Sequence, residues 1–307
     1  MNQADWTWLW IPATLMAAAF QVGRNAIQRS LTEQLGTIGA TQVRFLYGFP
    51  FAVLFAITAL LLTGSSVPHM GSSFVLFTIA GAVSQIAATA LMLAAMRKRA
   101  FVVVTAWTKT EPVQVAVFGM AVLGDQLSWL AMLAIAIATV GVTMMARKPA
   151  GSEGDQEGTA WQPVAMGLLA GACFAIAAVA FRGAILSLGE GHFFAHASWS
   201  LACGLGVQTI ILAGWMSIFN REAWARCLKA WRISIWGGLL GACASQGWFL
   251  GFALTAAANV RTLGLVEVLF AQIFTWRVFL TKSTRNETIG IILIVLGVAL
   301  LLWGRPT

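Results

Sequence analysis

Charge is scarce in this sequence: Asp, Glu, Lys and Arg together make up 10% of its 307 residues. A soluble domain carries roughly a quarter, so a water-soluble globule of this size is excluded. Tyrosine occurs once against fourteen tryptophans, and proline only seven times. The four cysteines, Cys173, Cys203, Cys227 and Cys243, show no CxxC spacing, and three fall in long apolar runs. They read as small buried residues, which argues against a disulfide framework or a zinc site. His192 and His196 stand four apart in GHFFAHA and would share a helix face. Glu190 is the only acid nearby and no further His or Cys is close, so no metal site is expected. Missing too are H-E-x-x-H, the P-loop, the dinucleotide fingerprint and the nucleophile elbow. Their absence argues against ATP-driven transport by this chain, and neither an enzyme nor a cofactor is expected.

What is present is hydrocarbon: 59% of the chain is hydrophobic, with a mean hydropathy of +0.81. Windows of about 20 residues predict ten membrane spans, at 6–23, 40–63, 73–96, 101–123, 128–146, 163–186, 193–217, 232–254, 257–280 and 287–304. The expected fold class is an all-α integral membrane protein of ten transmembrane helices. The first span begins at Trp6 without a basic segment before it, so a cleaved signal peptide is not expected. Trp6, Trp8, Trp10, Trp129, Trp161, Trp224, Trp231 and Trp303 fall near span ends and read as interfacial anchors.

The net charge of +8 follows the membrane rather than a nucleic acid. Odd-numbered loops carry fifteen Lys and Arg, from Arg24, Arg29 and Arg44 through Arg277, Lys282 and Arg285. Even loops and tails carry three, Arg182, Arg261 and Arg305, and Lys109 lies within a span. The positive-inside rule then puts the odd loops in the cytoplasm and both termini on the periplasmic or extracellular side of an inner, cytoplasmic membrane. Contact with the bilayer and its anionic lipids accounts for the basic excess, and no nucleic-acid partner is needed.

One polar stretch, RKPAGSEGDQEGTAWQP at 147–163, divides the chain. Its Gly, Pro, Ser and acids make a hydrated linker. The expected organisation is a first five-helix repeat at 1–148, a linker loop at 149–162 and a second five-helix repeat at 163–307. Five spans per half force the halves into the membrane in opposite senses, and the alternation of basic loops reverses between them accordingly. An offset of 156 residues also superposes Ala100 on Ala256, Val104 on Val260, Phe118 on Phe274, Gly141 on Gly297 and Glu111 on Glu267. Both signals point to an inverted repeat.

Glu111 and Glu267 are the candidate centre. A carboxylate at the middle of a membrane helix costs at least about 2.5–3.5 kcal/mol, so it normally faces a partner or a cavity. Each acid therefore has two readings. One is a structural ion pair, Glu111 with Lys109 or Arg277 and Glu267 with Arg261. The other is a place on a transport pathway, where the acid binds a cationic group or exchanges protons. Trp107, Thr108, Glu111, Gln114 and Val115 fall on one helical stripe. Lys109 lies about 160° around that helix from Glu111, so it is expected to snorkel or to pair with a neighbouring helix. On the ninth span Gly264, Glu267 and Ala271 share a face. Other candidate lining residues are Ser84, Gln85 and Thr89 on the third span and Ser245, Gln246 and Trp248 on the eighth, alongside Arg261; a buried Gln also serves as interhelical glue. Arg24 is expected as a cytoplasmic charge.

The end of the fourth span carries a recognisable pattern. Pro112 is followed thirteen residues later by Asp125 in Gly124-Asp125, then by Leu127-Ser128, and Gly141 sits in ATVGVTMM of the next span. This resembles the EamA-type members of the drug/metabolite transporter superfamily, over essentially the whole chain if the ten spans and Arg44 are included. It departs from that pattern at Asp125, where the usual acid is Glu, and at Val268 and Thr281 in the second half. The resemblance implies a metabolite or drug carrier with a central cavity, often an exporter, and a structural place for Asp125 at a helix end. Together with the residues it leads to one expectation: a secondary transporter moving a small organic metabolite such as an amino acid by alternating access, with protons as a candidate coupling ion. Proton-coupled efflux of an organic cation or drug and a non-transporting membrane scaffold are the alternatives. A monomer or a homodimer would serve either way.

Overall fold

The computed structural model describes residues 3–98, 107–145, 161–279 and 284–304. The described residues form α-helices and one 3-10 turn at Gln3–Leu9, with no strand. In chain order the helices are α1 (Trp10–Thr63), α2 (Ser72–Lys98), α3 (Glu111–Leu123), α4 (Trp129–Met145), α5 (Trp161–Ser187), α6 (Phe193–Phe219), α7 (Arg221–Lys229), α8 (Trp231–Leu254), α9 (Ala257–Leu263), α10 (Val266–Phe279) and α11 (Arg285–Trp303). Five runs are long and apolar enough to cross a membrane: Trp6–Thr63, Ser72–Ala95, Val164–Ser187, Phe193–Phe219 and Arg285–Trp303. Helices α3 and α4 are apolar but shorter. A helix satisfies its backbone groups internally, which is what hydrocarbon demands of any segment that crosses it.

Several expected boundaries change. No loop separates the first two predicted spans, because α1 runs through residues 24–39 as helix and departs from helical geometry only at Gly36 (φ 71°, ψ 176°). That conformation is open to glycine at little cost. The predicted loop near 220 holds a short helix instead, α7, capped by the Asn220 side chain accepting from Ala223 N. Trp161 and Gln162, placed in the linker by sequence, begin α5. The rest of the linker (149–160) and Ala100, Val104, Thr281 and Lys282 lie outside the described residues.

The chain divides into two compact units, one of residues 1–86 and 176–255, the other of residues 87–175 and 256–307. Each draws on both halves of the sequence, and the divide falls inside α2 and α5.

In the first unit, α1 doubles back at Gly36. A Cβ placed on Gly241 of α8 would lie 3.3 Å from Arg24 Cδ and 3.8 Å from Arg44 Cγ. Twenty residues of straight helix would hold those two arginines roughly 30 Å apart, so both arms of α1 reach the same point of α8. Arg24 and Arg44 are consequently buried, at 4% and 6% exposure, and not the solvated loop charges expected from sequence. Arg24 bonds the Asn25 side chain, and Arg44 stands over the Phe45 ring. Arg182, assigned to a loop by its sequence position, lies in α5 and donates to the carbonyls of Phe252 (2.6 Å) and Thr255 at the C-terminal end of α8. A cation there offsets the negative end of the helix dipole. The Tyr47 hydroxyl donates to the carbonyls of Cys227 and Leu228 and so ties α7 to α1. His192 serves as the N-cap of α6, accepting from Phe194 N, and His196 is buried.

In the second unit, α4 and α11 run antiparallel in close contact. A Cβ on Gly141 would meet Gly290 O at 2.7 Å and Ile294 N at 2.9 Å, and one on Gly297 would meet Ala134 O and Ala138 N at 2.8 Å each. The 156-residue offset exchanges these two contacts, since it carries 134 to 290, 138 to 294 and 141 to 297. Only a missing side chain permits this approach of two backbones. Ala138, Val142, Met145, Leu265 and Ile294 form an apolar core beside it, with Val268 and Leu269 packed on. Asp125 follows the left-handed Gly124 that ends α3, with its carboxylate beside Gly119.

Candidate functional site

The fourth and ninth predicted spans are not continuous helices, and their breaks create the site. Pro112 in the first turn of α3 has no N–H to give to the carbonyl four residues back, that of Thr108. The chain tightens there into three-residue closures, Thr110 N to Trp107 O and Val113 N to Thr110 O. Gly171 of α5 lies against the same Thr108 carbonyl, where a Cβ would come within 3.1 Å. The ninth span breaks without proline. Leu265 N bonds Thr262 O, Glu267 N bonds Gly264 O and Val268 N bonds Leu265 O. The Leu265 side chain, buried in the core of α4 and α11, anchors this second break. Gly264 therefore lies in the break itself and not on a shared helical face with Glu267, as the sequence had suggested. The Ala271 side chain lies outside the described residues.

Each acid begins the helix after its break. Glu111 is the first residue of α3 and Glu267 the second of α10. Free N–H groups and the positive end of the helix dipole both favour a carboxylate there. The two acids are 6% and 5% exposed.

Their partners are crossed. Lys109 Nζ donates to Glu267 Oε2 at 2.6 Å, and Arg261 Nε lies 3.0 Å from Glu111 Oε1. Each acid thus meets a base from the other half of the sequence. The pairings expected from proximity, Glu111 with Lys109 and Glu267 with Arg261, are exchanged, and the Arg277 side chain lies outside the described residues. The two contacts differ in kind. Lys109 to Glu267 has hydrogen-bond geometry, whereas the Arg261–Glu111 contact is off the N–H direction and acts by charge alone. Glu111 also lies within Coulombic reach of Lys109 and Glu267, so the four groups behave as one cluster. Two acids and two bases balance in formal charge. Around it, Thr108 and Val115 are buried, Trp107 is half-buried, and the half-buried Gln114 donates to Thr110 Oγ1.

Of the remaining sequence candidates, Thr89 belongs to the second unit, while Gln85, Gln246 and Trp248 belong to the first, in hydrogen bonds of their own. Gln208 Nε2 donates to Gln85 Oε1 at 2.7 Å, Gln246 Nε2 to Ser198 Oγ at 2.7 Å, and Trp248 Nε1 to Gln21 Oε1 at 2.9 Å. Sequence reasoning had not linked Ser198 or Gln208 to these positions. Both lie on the apolar seventh span, where periodicity gives no pairing signal. Nor did it find the two breaks, although Pro112 marks the first. Among the described residues no group of three or more His, Cys, Asp or Glu could hold a metal ion.

No protein-family model matches this chain, and no curated protein matches it. A solved structure, described simply as the crystal structure of a protein, is similar with a TM-score of 0.68 at 16% identity. The match covers 94% of this chain and 96% of the other. It extends over nearly both chains and, at that identity, speaks for the fold.

Proposed function

We propose that this chain is a secondary transporter of a small zwitterionic metabolite such as an amino acid, working by alternating access in the inner membrane. The observation that carries this reading is the neutral, crossed cluster of Lys109, Glu111, Arg261 and Glu267 at two broken helices. Discontinuous helices with half-helix ends at a polar site are a recurring layout of secondary transporters. A zwitterion suits a neutral cluster, because its ammonium can take a carboxylate partner while its carboxylate takes a base, leaving no bare charge in a buried site. A lone cation would displace one base without replacing it. Glu111, held by charge and not by a directed bond, is the group placed to exchange a proton or to meet the ammonium.

The contacts of Gly141 and Gly297, exchanged by the 156-residue offset, support an inverted repeat of five spans per half. The reversal of loop charge supports ten spans with both termini outside. The resemblance of Pro112 to Ser128 and of Gly141 supports an EamA-type carrier, and through that resemblance an exporter, active as a monomer or homodimer.

The test is flux through purified protein in liposomes, with amino acids and organic cations, with and without a pH gradient. A neutral amino acid is expected to move, and Glu111→Gln and Glu267→Gln to cut its flux by tenfold or more. Flux of cations alone would overturn the zwitterion reading. Wild-type flux from both variants under every condition would overturn the role of the acids.

A further inference from the structure

Helix α7 begins one residue after α6, which is long and apolar enough to cross a bilayer, and α8 follows it as closely. Its inner face is fixed by packing. Ala223 and Cys227 are buried, Cys227 Sγ donates to Gly39 O, and the Tyr47 hydroxyl donates to the carbonyls of Cys227 and Leu228. At about 100° per residue, Arg221 and Lys229 are centred on the opposite side. The face that α7 turns away from α1 is therefore basic.

The charge there is of one sign. Arg221, Lys229 and Arg232 are exposed, and Glu222 is the sole acid between residues 191 and 266. That acid is taken by Arg226, whose Nη1 lies 2.6 Å from its Oε1. Arg221 Nε donates to Ser217 O at 3.0 Å, and the Arg232 guanidinium stands over the Trp231 ring, 5.6 Å from its centroid. No acid of this stretch is left for the three. Beside them Ile218 and Phe219 of α6, Leu228 of α7, and Trp231 and Trp236 of α8 stay exposed.

We propose that α7 is a docking surface for anionic phospholipids, whose phosphodiester headgroups are held by Arg221, Lys229 and Arg232 while their acyl chains lie against Phe219, Leu228 and Trp231. Bases interleaved with exposed aromatic and aliphatic groups make an interfacial face, in which the charges call for an anion and their neighbours for hydrocarbon. A soluble acidic protein would meet the charges and leave the apolar groups in water; a lipid of this class meets both. The inference rests on the chain crossing a bilayer and not on the transport reading. It also gives the excess of basic loop residues a place, since Arg24 and Arg44, counted in that excess, are buried.

The test reconstitutes the full chain in liposomes with photoreactive phosphatidylglycerol, or with phosphatidylcholine carrying the same reactive acyl chain, and maps the crosslinked peptides by mass spectrometry. Each basic residue near the surface favours an anionic lipid by about fivefold, so phosphatidylglycerol is expected to label residues 215–236 about tenfold or more above phosphatidylcholine. Arg221→Gln, Lys229→Gln and Arg232→Gln together should bring the two lipids level there, with a melting temperature in detergent close to that of wild type. The paired replacement of Glu222→Gln with Arg226→Gln leaves the net charge unchanged and should keep the preference. Level labelling of wild type by the two lipids overturns the proposal without recourse to any variant. An undiminished preference in the folded triple variant overturns it too. So does loss of the wild-type preference when inorganic phosphate replaces chloride at equal ionic strength, which would assign the bases to a soluble anion.

Discussion

Lys109 Nζ lies 2.6 Å from Glu267 Oε2, although Glu111 is only two residues from the same lysine. Lys109 lies in the break before α3 and Glu111 at the start of the helix, and from there the lysine reaches across to the other half of the sequence. The side chains are 14% and 7% exposed. Removing one partner of such a pair strands a buried charge, at about 3–5 kcal/mol. Lys109→Met should therefore lower the melting temperature in detergent sharply. The double replacement Lys109→Met with Glu267→Leu should recover most of that stability while leaving flux abolished. Recovery of both properties would reduce the pair to a structural clasp.

The α4–α11 contact makes a second prediction. The atoms that a Cβ on Gly141 or Gly297 would strike are mostly backbone, with no flexible side-chain end to move aside. Gly141→Ala and Gly297→Ala should each destabilise by about 1–3 kcal/mol. Gly214→Ala on α6 meets nothing within 4 Å and should be neutral or slightly stabilising, as alanine is the better helix former. Thermal unfolding of the three variants in one detergent measures the difference.

Cys227 on α7 is fully buried, with its Sγ donating to Gly39 O at 3.6 Å. Burial pushes its thiol up to about 11, with Arg226 opposing. The reactive species is the thiolate, so raising the pKa lowers the reactive fraction at pH 8 by about a hundredfold. In a variant lacking Cys173, Cys203 and Cys243, maleimide labelling at pH 8 should be slow in the folded protein, ordinary in denaturant, and faster as pH rises towards 11. Equal rates in the folded and denatured protein would contradict the buried position.

Orientation is testable at two exposed positions. Val67 follows α1 and Glu222 lies on α7, and both are exposed. With the odd loops cytoplasmic, Val67→Cys should react with an impermeant maleimide on intact cells. Glu222→Cys should react only after permeabilisation. The reverse pattern would invert the topology.

The candidate residues were legible in the sequence because hydrocarbon makes every charge conspicuous. Glu111, Glu267, Lys109 and Arg261 stand out of apolar runs whatever they touch. The break before α3 was half legible through Pro112. The break at Gly264–Leu265 was not, because it depends on Leu265 being drawn into the core of α4 and α11. Arg24 and Arg44 were misread as loop charges for a related reason. A run of polar residues looks like a loop to any local window, and only the reversal at Gly36 folds both arms of α1 onto Gly241.

The sequence by itself determined the helical class, the apolar runs, the 156-residue correspondence and the identity of the buried acids and bases. These follow from composition and spacing, which act residue by residue along the chain. Only the tertiary structure decided which base meets which acid. Lys109 is two residues from Glu111 and Arg261 is six from Glu267, yet each pairs with the more distant acid. Side-chain direction and the packing of separate helices set the distance between charges and their burial, and Coulomb energy depends on both.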